Sequence, residues 1–216
     1  MRVLIHDYPG HPFQAQLSRE LARRDHEVLH LYCPSVMSGR GRLSRADTDP
    51  PGLQFGQVDL GRQFEKYRPL RRSADEFRYG SLLSRRLAAY EPDVIVSSNT
   101  PLLEQWLLWR TASRLGIRKV LWEQDILGIG IINALRQKLP IGGGLIGTAF
   151  LNLEMRLLRA SNAVVVISED FAPILQDGGV DTESIHVIEN WAPIDEHYET
   201  LRRDMFTLMQ DLRIAA

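Results

Sequence analysis

Three short polar stretches in this sequence carry residue types able to hold or activate a polar substrate, and each directly follows an apolar run. Glu123-Gln124-Asp125 closes the run Arg118 to Trp122. An acidic cluster at the end of a buried strand is where α/β enzymes keep their catalytic groups, so Asp125 fits a base or an orienting acceptor for a sugar hydroxyl. The same triplet also fits a solvated loop, or a cap for a short helix opening at Ile126. Asn99 and Thr100 follow Val94 to Val96. Thr100 before Pro101 suits a helix cap better than a site, whereas Asn99 suits a cap and a cleft equally. Gly10-His11 follows Val3 to His6. A glycine there lets backbone N–H groups approach an anion at the next helix's N-terminus, and it equally serves as a plain turn.

Several chemistries are argued against. After the first strand, where a dinucleotide-binding fold carries G-x-G-x-x-G, only Gly10 stands, and the phosphate-loop pattern G-x-x-x-x-G-K-[ST] is absent. No G-x-S-x-G nucleophile elbow occurs. His26 and His30 are spaced H-x-x-x-H, but His26 falls in the turn before the second strand and His30 within that strand rather than on one helix face, so no protein-bound metal is expected. A formal net charge of -1 offers no global attraction to nucleic acid. The single cysteine, Cys33, precludes an internal disulfide and suits a small buried hydrophobe at a strand end.

The elements that must position these residues alternate from the first residue. Strands are expected at 3–6, 27–32, 53–58, 93–97, 118–122, 163–167 and 184–188. Helices are expected at about 12–24, 74–90, 101–115, 145–159 and 169–176. Phe13, Leu17 and Leu21 recur every four residues, which gives the first helix one buried face. Residues 33–52 lack any period and contain Pro34, Gly39, Gly41, Pro50, Pro51 and Gly52, as a long mobile loop would. The passage from Gly128 to Gly147 is expected to be a glycine-rich connection. This alternation predicts an α/β fold, a doubly wound and mostly parallel sheet whose ligands sit at the carboxyl ends of its strands.

Met1-Arg2 runs straight into Val3-Leu4-Ile5, too short a core for a signal peptide, and no uninterrupted apolar stretch spans a bilayer. A cytosolic chain is expected. Arg136 and Lys138 beside Leu139, Ile141, Leu145 and Ile146 suit either a surface that meets anionic lipid or a packed helix with solvated cations.

The stretches "HDYPGHPFQAQLSRELARRDHEVLHLYC", "PDVIVSSNTPL", "WEQDI" and "SEDFAPILQDGGVDTESIHVIENWAP" resemble, in this order, the N-terminal half of family-4 glycosyltransferases, nearest the bacterial exopolysaccharide (colanic-acid-like) type. The resemblance covers residues 1 to about 195. It implies a GT-B fold, two Rossmann-like domains across a cleft, and transfer that retains anomeric configuration without a metal. The N-terminal domain would mainly bind an acceptor, often lipid-linked, while the nucleotide-sugar, a co-substrate rather than a cofactor, would be held mainly by the other domain. It also implies a place on the cytoplasmic membrane face. Gly10 matches the family's glycine-bearing first loop, although Gly10-His11 stands where a double glycine is common. Gln124 falls where many members carry histidine, which leaves Asp125 as the stronger catalytic candidate beside it. Ser168 and Asn190 match positions that shape the cleft edge and the interdomain linker.

A second domain would follow Trp191-Ala192-Pro193. The sequence instead continues with "DEHYETLRRDMFTLMQDLRIAA", in which Tyr198, Leu201, Met205, Leu208 and Leu212 form an apolar stripe at helical spacing. The expected organisation is a Rossmann-like domain over 1–194 and an amphipathic helix over 195–216. That helix either closes the sheet's open edge or crosses back onto the domain as the family's last helix does. By itself the chain is expected to be inactive, needing a donor domain or a second chain. The alternatives are a non-catalytic binding or assembly module, a subunit of a two-polypeptide transferase, and a sugar-nucleotide epimerase. An exposed cleft face in such a half-protein also points to self-association.

Overall fold

A computed structural model describes residues 1–36, 40–61, 69–98 and 100–191. The expected helix at 195–216 and Asn99 lie outside these residues. Seven parallel strands form one sheet in the order β3-β2-β1-β4-β5-β6-β7. They are β1 (Arg2–Asp7), β2 (Glu27–Tyr32), β3 (Leu53–Gln57), β4 (Val94–Ser98), β5 (Arg118–Glu123), β6 (Ala163–Val166) and β7 (Ile185–Val187). The helices are α1 (Pro12–Arg23), α2 (Pro69–Tyr90), α3 (Leu102–Arg114), α4 (Leu127–Lys138), α5 (Gly143–Arg159) and α6 (Phe171–Asp177).

The central strands are aliphatic and buried on both faces, as parallel strands covered by helices must be. Leu4, Ile95, Leu121 and Val164 share one core with Leu83, Leu108 and Leu158 of α2, α3 and α5. Val3, Ile5 and Val28 pack on the other side with Ala22, Leu17 and Leu21 of α1. β1 pairs with β2 on one flank and β4 on the other. The chain therefore turns in opposite directions out of β1 and β4, and a crevice opens between their carboxyl ends.

Two segments differ from the sequence expectation. Residues 127–138 form a helix rather than a glycine-rich connection, and α5 starts at Gly143. The glycines mark a close helix crossing. A Cβ at Gly128 would lie 2.6 Å from Leu151 Cα, and one at Gly147 would lie 2.6 Å from Ile132 Cα. The loop after β2, where described, is held down rather than free. Buried Arg19 donates from Nε to Asp49 Oδ1 at 3.0 Å and from Nη2 to the carbonyls of Arg42 at 2.8 Å and Ser44 at 3.2 Å.

Candidate functional site at the carboxyl ends of the strands

β1 ends in two fully buried polar residues, His6 and Asp7. The Asp7 carboxylate accepts from the backbone N–H of His11 and from Ser98 Oγ at 3.3 Å, and it lies 3.1 Å from His11 Nδ1. An internal carboxylate thus occupies the N-terminus of α1, where the partial positive charge of the helix favours it. Gly10 has φ +82, and a Cβ there would collide with the Leu43 side chain. Its carbonyl accepts from Gly41 N at 3.0 Å, which ties the long loop to the first strand's end.

His6 Nε2 meets Tyr79 Oη at 3.0 Å, and its Nδ1 meets Thr100 Oγ1 at 2.9 Å. Ser97 Oγ lies 3.1 Å from Thr100 Oγ1 and donates to Gln105 Oε1 at 2.7 Å. Burial lowers the His6 pKa to about 3, so the ring stays neutral and acts as a hydrogen-bonding hub. The cap expected of Thr100 is not formed. Helix α3 begins one residue later than expected, Pro101 is its N-cap, and no side chain caps it. The Thr100 hydroxyl is turned to His6 instead, because an unpartnered imidazole nitrogen in the core would cost more than an uncapped helix end.

The acidic end is built by three elements. Glu123, the last residue of β5, is 8% exposed, while Gln124 is half-buried and Asp125 is exposed. Glu154 reaches across from α5 and accepts from Leu127 N and Gly128 N, both at 2.8 Å, so one helix supplies the N-terminal cap of another. Burial holds the Glu123 carboxyl well above the carboxylate range, reinforced by Glu154 and Asp125. Burial also raises Glu154 to about 7, against the two α4 N–H groups that favour its ionised form. A cavity of about 90 Å³ lies among these groups, with Thr100, Gln105, Glu123, Gln124, Asp125 and Glu154 in its wall. Among the described residues, no group of histidines, cysteines and carboxylates could hold a metal ion.

Thr100, Glu123, Gln124 and Asp125 are therefore brought together around one cavity. Gly10 and His11 follow the end of β1, on the far side of β4 from β5, and do not line the cavity. Ser168 and Asn190 are separate, half-buried and exposed at the ends of β6 and β7. Trp191, next to Asn190, donates from Nε1 to Gln16 Oε1 at 2.7 Å and packs edgewise on Phe13 and Trp122. The chain leaving β7 is thereby held against α1. Arg136 and Lys138 stand at the far end of α4. There the α4–α5 turn presents Ile141 at 96% and Leu145 at 79% exposure. No helix among the described residues is long and apolar enough to cross a membrane. His6, Gln105 and Glu154 were not found from sequence. The available signal for Glu154 was a carboxylate on the buried stripe of an amphipathic helix, beside Met155 and Leu158.

The model of the Glycosyl transferase 4-like domain matches residues 11–191. No curated protein matches the sequence. Among solved structures, a UGT transferase from Siraitia grosvenorii in complex with UDP is similar at TM-score 0.53 and 13% identity, over 88% of this chain and 50% of that one. Apo UGT2 of Phytolacca americana is similar at TM-score 0.52 and 11% identity, over 88% and 51%. A UDP-glucosyltransferase from Polygonum tinctorium gives TM-score 0.50 at 13% identity, over 87% and 51%. The chain spans about half the length of each of these solved transferases. With a parallel sheet of the GT-B type and a match over most of its length, the chain belongs to the Glycosyl transferase 4-like domain family.

Proposed function

We propose that this chain is the acceptor-binding half of a retaining glycosyltransferase of the exopolysaccharide type. It would serve the transfer of a sugar from a nucleotide-sugar to a lipid-linked glycan. The observation that carries the reading is the polar cavity at the carboxyl ends of β4 and β5, in a family domain half the length of its solved relatives. A UDP complex among those relatives suggests a nucleotide-sugar as co-substrate. A donor domain, in the same polypeptide or in a second chain, would hold most of it. In this reading Asp125, exposed at the cavity mouth, orients the acceptor hydroxyl. The hydroxyl oxygen bonds to the anomeric carbon as the bond to the diphosphate breaks, and its proton passes to the departing phosphate oxygen. The reaction needs no metal or organic cofactor from this half.

In the assembled two-domain enzyme, Asp125→Asn is expected to lower kcat by about 100-fold, the scale of losing a contact that positions the reacting hydroxyl. Wild-type turnover would remove Asp125 from the site. If the isolated chain transferred sugar from a nucleotide-sugar at enzyme-like rates, the half-enzyme reading would fail.

The second element of the reading is membrane attachment through the α4–α5 turn. Leu139, Ile141, Leu145 and Ile146 are exposed there beside Arg136 and Lys138. Apolar side chains entering the interface between two cations suit an anionic bilayer and would bring a lipid-linked acceptor to the sheet end.

A further inference from the structure

The cavity at the end of β5 has a chemical inventory more specific than a hydroxyl site. Four leucines, Leu102, Leu121, Leu127 and Leu157, form its apolar wall. Gln105 is 2% exposed and Gln124 is half-buried, and the Nε2 of each is buried without a hydrogen-bond partner. The Gln105 orientation follows from Ser97, whose Oγ donates to Gln105 Oε1 at 2.7 Å and leaves the amide NH2 without that partner. An unpartnered buried donor costs about 1–3 kcal/mol, so two lining one cavity mark the place of an acceptor oxygen. The volume of about 90 Å³ is several times that needed for one water.

We infer that this cavity is a subsite for the acetamido group of an N-acetylated amino sugar in the acceptor glycan. The inference rests on the acceptor-binding reading above. The acetyl methyl takes the leucine wall, the carbonyl oxygen accepts from the Gln105 and Gln124 amides, and the amide N–H meets a carboxyl oxygen of Glu123 or Asp125. A bare hydroxyl would leave the leucine wall against water and satisfy only part of the donor set. An ammonium group suits the cavity less, because it brings further donors to donors already unpartnered. The two buried carboxyls offer it little charge as well. Burial favours protonated Glu123, and both Glu154 oxygens already accept from α4.

The test uses the chain with the methyl glycosides of N-acetylglucosamine, glucosamine and glucose, titrated while the glutamine side-chain amide signals are followed by NMR. The N-acetylglucosaminide is expected to bind at least about tenfold more tightly than the glucoside and to shift the Gln105 and Gln124 amides. Saturation transfer should be strongest at its acetyl methyl. In Gln105→Leu that preference should fall to about threefold or less. Because the sugar series is read on the unaltered chain, the outcome does not depend on that variant folding. Equal binding of glucoside and N-acetylglucosaminide would overturn the acetamido subsite and leave the acceptor reading standing. Tightest binding of the glucosamine glycoside would overturn it in favour of an ammonium site. No binding by any of the three would overturn both.

Discussion

Glu154 shows how one side chain can serve architecture and site together. Its carboxylate caps α4 through Leu127 N and Gly128 N while its own helix keeps it largely out of water. Its pKa is raised from 4.5 to about 7, so the folded protein binds a proton that the unfolded chain releases. The sign follows directly. Below the unfolded pKa both states are protonated and there is no difference. As pH rises from about 4.5 to about 7 the folded state loses stability relative to the unfolded, and above that the penalty is constant. The stability difference, wild type minus Glu154→Gln, is therefore expected to decline across that window and to be flat beyond it in urea titrations at a series of pH values. His6 and His30, whose pKa values burial lowers to about 3 and about 4, add the opposite slope to both proteins and cancel in the difference. A flat difference curve would mean that Glu154 is not held protonated by burial.

At the scale of elements, the α4–α5 pair decides whether the cavity exists, since Leu127 comes from one helix and Glu154 and Leu157 from the other. Their approach depends on Gly128 and Gly147, where an added Cβ would meet backbone at 2.6 Å rather than a flexible side-chain tip. Gly128→Ala should thus separate the helices, costing about 1–3 kcal/mol as overpacking does. Gly130 lies on the same helix with open space, nothing within 4 Å, where an added methyl would sit, so Gly130→Ala should be neutral or gain up to about 1 kcal/mol. Urea denaturation of the two variants distinguishes a crossing glycine from an open-faced glycine of the same helix, and equal effects would dismiss the crossing. The same glycines explain why α4 was invisible to periodicity. Their spacing reads as loop chemistry until a second helix supplies the surface they fit.

At the scale of the whole molecule, the cavity and the α4–α5 turn lie at opposite ends of α4, a separation suited to a site fed from a surface. Arg136→Glu with Lys138→Glu is expected to weaken co-sedimentation with phosphatidylserine vesicles by at least about tenfold, at about 1 kcal/mol per basic residue near an anionic surface. Binding to neutral phosphatidylcholine vesicles should change little. Unaltered sedimentation with anionic vesicles would reject this surface. Trp191 belongs to this scale too. Its contacts with Gln16, Phe13 and Trp122 fix where the chain leaves the sheet, close to the His11 loop.

The alternation of aliphatic runs with amphipathic helices was enough to determine the parallel α/β architecture, because burial on both faces leaves a signature every few residues. The five inner strands were legible for that reason, the edge strands β3 and β7 by their place in the alternation, and so was the placement of Glu123, Gln124 and Asp125 at a strand's carboxyl end. Side-chain partnerships were not legible, since they join residues far apart in the chain. Thr100 looked like a cap until His6, 94 positions away, claimed its hydroxyl. Glu154 looked like one polar residue on a helix until α4 brought two backbone N–H groups to it. Gln105 became a candidate ligand only when Ser97 oriented its amide toward a cavity that three helices and a strand enclose. Sequence determines which surfaces must be buried; which polar atoms are left facing one another is decided only when those surfaces meet.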